Sequence, residues 1–168
     1  MFMKDIHALY NEKLTSAAEL ASRVESGWLI GMDNAISQPK DFINAVSDRA
    51  KKGELSGVWV QTMLDSYPYA FYEDDSLNGK VNGISWFSSA GSRKAVNGGY
   101  ADVVPGYYRD MPFHIRSSWD YDTVAISVSP MDSHGYFSLS CTNSYAEALL
   151  DKTKRVYLEI NQIGRAHV

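Results

Sequence analysis

The residues best suited to chemistry lie in SPMDSHGYFSLS, residues 129–140, directly after the apolar run TVAISV. Asp132 and His134 stand two apart, a spacing that in a tight turn lets a carboxylate orient an imidazole as an acid–base pair. Ser129 or Ser133 would complete a nucleophilic set. Against this, no G-x-S-x-G elbow is present, and Ser, Asp and Gly are ordinary turn residues. The favoured reading is a turn in which Asp132 bonds backbone amides, Gly135 supplies a positive φ and His134 packs or bonds structurally.

Two other stretches raise the question of an anion site. In FSSAGSRKAV, residues 87–96, the hydroxyls of Ser88 and Ser89, a glycine and Arg93 could hold an anion, although the GK[ST] ending of a P-loop is missing. The same residues serve equally as an N-cap and a helix whose arginine faces solvent, so both readings stand. In MDNAISQP, residues 32–39, Pro39 opens a helix whose free N–H groups and positive dipole end suit a carboxylate or phosphate. Simple capping of that helix by Ser37 and Gln38 is the favoured reading. His7, His114, His134 and His167 show no paired ligand spacing, so no metal site is expected. The lone Cys141, between Ser140 and Thr142, reads as a small buried thiol rather than a nucleophile, since no base or cation adjoins it.

These stretches must be positioned by regular elements. TSAAELASRVE, residues 15–25, reads as a helix, with Ser16 and Glu19 at capping-box spacing and Gly27 beyond its end. WLIG, residues 28–31, is a short buried strand. KDFINAVSDRAK, residues 40–51, places Phe42, Ile43 and Val46 on one helical face. GVWVQTM (57–63), GISWF (83–87), TVAISV (123–128) and RVYLEIN (155–161) read as further strands, the last as a core strand. Residues 65–80 read as a loop with a short strand at Tyr69–Tyr72, and 88–99 as a loop running into a short helix. NSYAEALLDKTK, residues 143–154, reads as a helix capped by Asn143. Alternating helices and strands predict one α/β domain with an open, mostly parallel sheet flanked by helices. Ligands of such sheets bind beyond the carboxyl ends of the strands, which is where all three stretches fall, together with the loop after Met63.

Composition narrows the class. With 168 residues the chain has the length of a single domain, and its 45% hydrophobic content suits a packed core. A net charge of −4 without a long basic run argues against nucleic-acid binding. No stretch reaches the ~20 apolar residues of a bilayer span, and one cysteine allows no intrachain disulfide, so a cytoplasmic protein without membrane attachment is expected.

Taken in order, several segments resemble the family I CoA-transferases, or acetyl-CoA hydrolase/transferases, with the nearest likeness to 4-hydroxybutyrate and butyryl-CoA:acetate CoA-transferases. YNEKLTSAAELASRVESGWLIGM is similar to that family's opening helix and first strand. FSSAGSRKAVNGGYADVVP resembles its F-x-S-x-x-x-R-x-A-V-x-x-G-x-A-D-x-x-P pattern, and VAISVSPMDSHGYFSLS its S-P-x-D-x-H-G-Y-F-S stretch. Ser140 departs from the family's usual glycine. The likeness runs from Tyr10 to Asn161.

The resemblance implies the first of two related domains of a cytoplasmic enzyme. That enzyme exchanges CoA between a short-chain acyl-CoA and a carboxylate such as acetate, through a glutamyl-CoA intermediate. The nucleophilic glutamate would lie in a second domain, so this chain alone would hold no catalytic residue and be inactive. CoA would be a substrate rather than a resident cofactor, and the complete protein a homo-oligomer. The substrate-facing residues implied are Gly31, turning the chain out of its strand, Ser37, Gln38 and Pro39 as polar groups, Met63 on the apolar side, and Ser88, Ser89 and Arg93. Asp132, His134 and Gly135 would hold their loop. The domain is expected over residues 1–162. The tail IGRAHV, residues 163–168, reads as a translated sequencing adapter, with the natural chain expected to continue beyond Asn161 or Gln162. Rivals are an acetyl-CoA hydrolase, a sugar-phosphate isomerase on a related fold, and a non-catalytic acyl- or carboxylate-binding module.

Overall fold

The computed structural model describes residues 5–139 and 142–162. Ser140, Cys141 and the tail from Ile163 lie outside the described residues, and with them the readings made on those positions. The first helices are α1 (Ile6–Lys13) and α2 (Ala17–Ala21). Ser16 caps α2 by accepting the Glu19 N–H at 3.1 Å.

Six strands form one all-parallel sheet: β1 (Leu29–Met32), β2 (Val58–Thr62), β3 (Val81–Ser85), β4 (Ala101–Val103), β5 (Thr123–Val128) and β6 (Val156–Ile160), in the order β4-β3-β2-β1-β5-β6. The chain winds outward from β1 to β4, then returns to lay β5 on the other side of β1. The gap between β1 and β5 is therefore the topological switch point, where open α/β sheets carry their ligands.

Alternate residues on each strand feed two cores. One face joins Ile30, Met32, Val58, Val60 and Ala125 to α3 (Lys40–Lys51), whose Phe42, Ile43 and Val46 are buried, and to α4 (Ala70–Glu73) and α5 (Arg93–Asn97). The opposite face joins Val124, Ile126 and Val128 to α6 (Met111–Ser118) and α7 (Ala146–Asp151) through Met111, Ile115 and Leu149. Two glycines let aromatic rings reach the sheet from opposite sides. A Cβ on Gly83 of β3 would lie 2.3 Å from the Tyr72 ring, and one on Gly31 of β1 would lie 2.8 Å from the Tyr121 ring.

The expected fold class agrees with this architecture, and several local expectations need correction. Tyr69–Tyr72 is not a strand; Tyr69 leads into α4, which packs Phe71 and Tyr72 against the sheet. The short β4 and the helices α1 and α6 were not anticipated. Residues 155–161 do not form a core strand: β6 is the sheet's edge, partly exposed along its length. Asn143 does not cap α7, whose N-cap is Tyr145 without a side-chain hydrogen bond.

Candidate functional site

The loops at the carboxyl ends of β1, β2 and β5 are stitched together by buried polar side chains. Asp33 leaves β1 fully buried; its Oδ1 accepts the Asn34 N–H at 2.9 Å and its Oδ2 the Ser144 N–H at 3.4 Å. Burial pushes its carboxyl above the usual range, against the pull of those amides. Ser37 donates to the Thr142 carbonyl at 2.6 Å, and the Thr142 hydroxyl donates to the Asn34 carbonyl at 3.1 Å. The β1 loop is thus tied across the switch point to the segment ahead of α7.

A second set ties β1 to β2. Gln38 donates from Nε2 to Asp65 Oδ1 at 3.0 Å and to the Met63 carbonyl at 3.4 Å, while its Oε1 accepts from the Tyr69 hydroxyl at 3.3 Å. Asp65 Oδ2 accepts from the Thr62 hydroxyl at 3.2 Å, and that hydroxyl also bonds Tyr72 at 2.7 Å. Desolvation outweighs these bonds and raises the Asp65 carboxyl to about 6. Beside this network the backbone adopts a left-handed conformation at two non-glycine residues, Ala35 (φ 50°) and Leu64 (φ 51°). Such positions cost on the order of 1 kcal/mol or more and persist where surrounding contacts over-determine them. Both carry the chain past the strand ends with apolar side chains turned outward: Ile36, Leu64 and Phe87 are 43%, 46% and 51% exposed.

The residues singled out in the sequence fall into distinct roles. Ser37 and Gln38 are buried and satisfied within the protein, so they lock the strand-end loops. They do not cap α3 either. Pro39 is its N-cap residue without a side-chain bond, and Glu159 of β6 supplies the acceptor, taking the Phe42 N–H on Oε2 at 2.9 Å. The anion-binding end of α3 is therefore filled by the chain's own carboxylate, which burial holds above its usual range. Gly31 does not turn the chain; it sits in register within β1, opposite Gln61 and Val124, and makes room for Tyr121. Met63 packs in the second core beside Trp86.

Ser89 and Ser92 form a reciprocal turn, each accepting the other's backbone N–H at 3.0 and 3.3 Å, ahead of α5. Ser88 is half-buried and Arg93 exposed. Asp132 Oδ1 accepts the backbone N–H groups of His134 and Tyr136, both at 2.9 Å, and Gly135 has φ 90°. His134 thus joins the turn through its main chain, with its side chain exposed, and Ser129 closes the loop by accepting the Ser138 N–H at 2.9 Å. Among the described residues no three His, Cys, Asp or Glu side chains group as a metal site, and no helix is long and apolar enough to cross a membrane.

Asp33, Asp65 and Thr142 escaped the sequence analysis. The two acids carried a signal, since each closely follows the apolar end of a strand at the edge where ligands bind. Thr142 carried none, because its partners come from more than 100 residues away in sequence.

Known proteins resemble this chain in sequence and in fold. A succinyl-CoA:cyclohexane-1-carboxylate CoA transferase from Geobacter metallireducens is 36% identical over 159 residues, covering 94% of this chain and 36% of that protein. A butyryl-CoA:acetate CoA-transferase from Anaerostipes caccae is 27% identical, over 91% of this chain and 34% of that protein. The chain thus spans about a third of the length of these relatives. The crystal structure of RipA from Yersinia pestis superposes with a TM-score of 0.83 at 30% identity, over 94% of this chain and 38% of that one. A 4-hydroxybutyrate CoA-transferase from Porphyromonas gingivalis shares the fold, with a TM-score of 0.66 at 19% identity, over 94% and 35% of the two chains. The resemblance seen in the ordered motifs is borne out by a family model that matches residues 3–165, and with it the locked loops around the β1–β5 switch point find their setting: the chain belongs to the acetyl-CoA hydrolase/transferase N-terminal domain family.

Proposed function

We propose that this chain forms one wall of the substrate cleft of an acyl-CoA:carboxylate CoA-transferase. The observation that carries this reading is the strand-end edge itself. Most of its buried polar groups, Asp33, Ser37, Gln38 and Asp65 among them, bond within the protein, while Ile36, Leu64 and Phe87 face outward as an apolar rim. Such an edge suits the hydrocarbon part of an acyl group, and among the described residues it shows no activated nucleophile.

The reacting glutamate would come from a second domain. Its carboxylate attacks the acyl-CoA thioester, forming an acyl–glutamyl anhydride and releasing CoA thiolate. The thiolate attacks the glutamyl carbonyl, giving glutamyl-CoA and freeing the first carboxylate. A second carboxylate then runs the two steps in reverse and leaves as its CoA ester. Covalent catalysis of this kind replaces one difficult exchange with several of nearly equal energy. CoA enters and leaves as substrate, and water excluded by the closed cleft separates transfer from hydrolysis.

The 36% identity to the cyclohexane-1-carboxylate enzyme, against 27% to the butyryl-CoA:acetate enzyme, adds cyclic carboxylates to the short-chain acids that merit assay. The test is acyl exchange followed by mass spectrometry, using butyryl-CoA with acetate and succinyl-CoA with cyclohexane-1-carboxylate. It is run on the 168-residue chain and on the product of the gene's whole reading frame. Exchange by the longer protein alone, with a trappable glutamyl-CoA ester, is the expected result. Exchange by the 168-residue chain, or acyl-CoA binding without turnover by the longer protein, would reject this reading.

A further inference from the structure

Parallel sheets are found with both faces covered, because their strands are apolar on both sides. Here one face is closed by α3, α4 and α5. On the other, α6 and α7 pack on each other, and α7 covers β1 and β5. Among the described residues that second face is less fully covered over β2, β3 and β4, where Ile84 is buried but Trp59 is half-buried and Asp102 exposed. Trp59, Ile84 and Asp102 point from three neighbouring strands and, with Leu29 and Trp119, line a shallow groove of about 240 Å³. Leu29, Trp59 and Trp119 are only half-buried there, and Asp102 is exposed.

Two unfinished hydrogen bonds lie on the same face. Gln61 stands two residues beyond Trp59 and opposite Ile84, and Trp86 stands two residues beyond Ile84. Their side chains are 1% and 6% exposed, yet Gln61 Nε2 and Trp86 Nε1 have no acceptor among the described residues. A buried donor without a partner costs about 1–3 kcal/mol. Trp86 also links the groove to a further apolar strip. It lies edge-on to Trp119 at 5.9 Å and stacks on His114 at 5.9 Å, next to the exposed Phe113, with Tyr107 and Tyr108 exposed just before α6.

We infer that this half-bare face is the docking surface for the rest of the polypeptide, the part that follows the N-terminal domain in proteins of the relatives' length. The inference rests on the two-domain reading proposed above. Its support beyond the bare face is length: the matched relatives are about three times as long as this chain, and the matching family is an N-terminal domain. The docking segment lays apolar side chains in the Trp59–Trp119 groove and sets a basic group against Asp102. The carboxyl-edge rim stays free for substrate.

Hydroxyl-radical footprinting read by mass spectrometry tests this on the 168-residue chain and on the product of the whole reading frame. Oxidation of Trp59, Trp119 and Phe113 is expected to fall severalfold in the longer protein, while Tyr67 on the opposite side keeps its rate. Equal oxidation of the three residues in both proteins, with protection elsewhere, overturns the docking face and leaves the two-domain reading standing. A reading frame that closes directly after Val168 removes both. Protection of the three residues already present in the 168-residue chain, at dilutions where light scattering shows a monomer, means the face is closed within the domain, and the inference fails.

Discussion

A carboxyl group taken out of water resists ionisation, and burial does this to Asp65 despite the hydrogen bonds it accepts from Gln38 and Thr62. Its unfolded value lies near 3.8 and its folded value at about 6. The stability it contributes is therefore fully present below the unfolded value and is lost as pH rises through the folded one. Asp65→Asn keeps a side chain of the same shape and cannot ionise. Urea titrations of both proteins between about pH 4 and pH 7 should show stability declining less steeply with pH in the variant. Equal slopes would mean that Asp65 is solvated. Asp33 and Glu159 are shifted in the same direction, so the difference between the two proteins, not either slope alone, carries the result. Steric rather than electrostatic limits govern Gly83. Gly83→Ala would press a methyl group into the Tyr72 ring and is expected to cost about 1–3 kcal/mol of unfolding free energy, visible as a lowered urea midpoint at unchanged slope.

At the scale of elements, α3 shows what local sequence can and cannot dictate. Its span of Lys40–Lys51 and its buried face of Phe42, Ile43 and Val46 follow from apolar spacing and the proline ahead of it. Its cap does not, because Glu159 lies 117 residues from Phe42 in sequence. Glu159→Ala should cost about 1 kcal/mol and speed hydrogen exchange in the first turn of α3, whereas Glu159→Gln, which retains an acceptor oxygen, should cost less. The turn after β5 was legible for the opposite reason, since the hydrogen bonds that close it between Asp132 and Tyr136 span no more than four residues. Asp132→Ala is expected to raise hydrogen exchange at His134 and Tyr136 by freeing both amides. His134→Ala should leave that turn intact, because its bond to Asp132 comes from the main chain. Tyr69–Tyr72 misled because an aromatic run fits a strand as well as it fits a short helix packed over glycine.

For the molecule as a whole, alternation of helices and strands was enough to foresee a parallel α/β sheet, yet strand order was not legible, since pairing partners leave no mark in a single strand. The half-covered face adds a prediction here. The 168-residue chain by itself should self-associate, with a mass by light scattering that rises with concentration, and a stable monomer would argue against a missing covering layer. The order β4-β3-β2-β1-β5-β6 also has a consequence during synthesis. β1 is made early and finds β2 some 30 residues later, but its other neighbour, Thr123–Ala125 of β5, follows about 90 residues behind it. On the ribosome, β1 must wait with one edge unpaired and α3 must wait without the Glu159 carboxylate, until nearly all of the domain has emerged. The central strand of this sheet is therefore among the first segments translated and among the last to be completed.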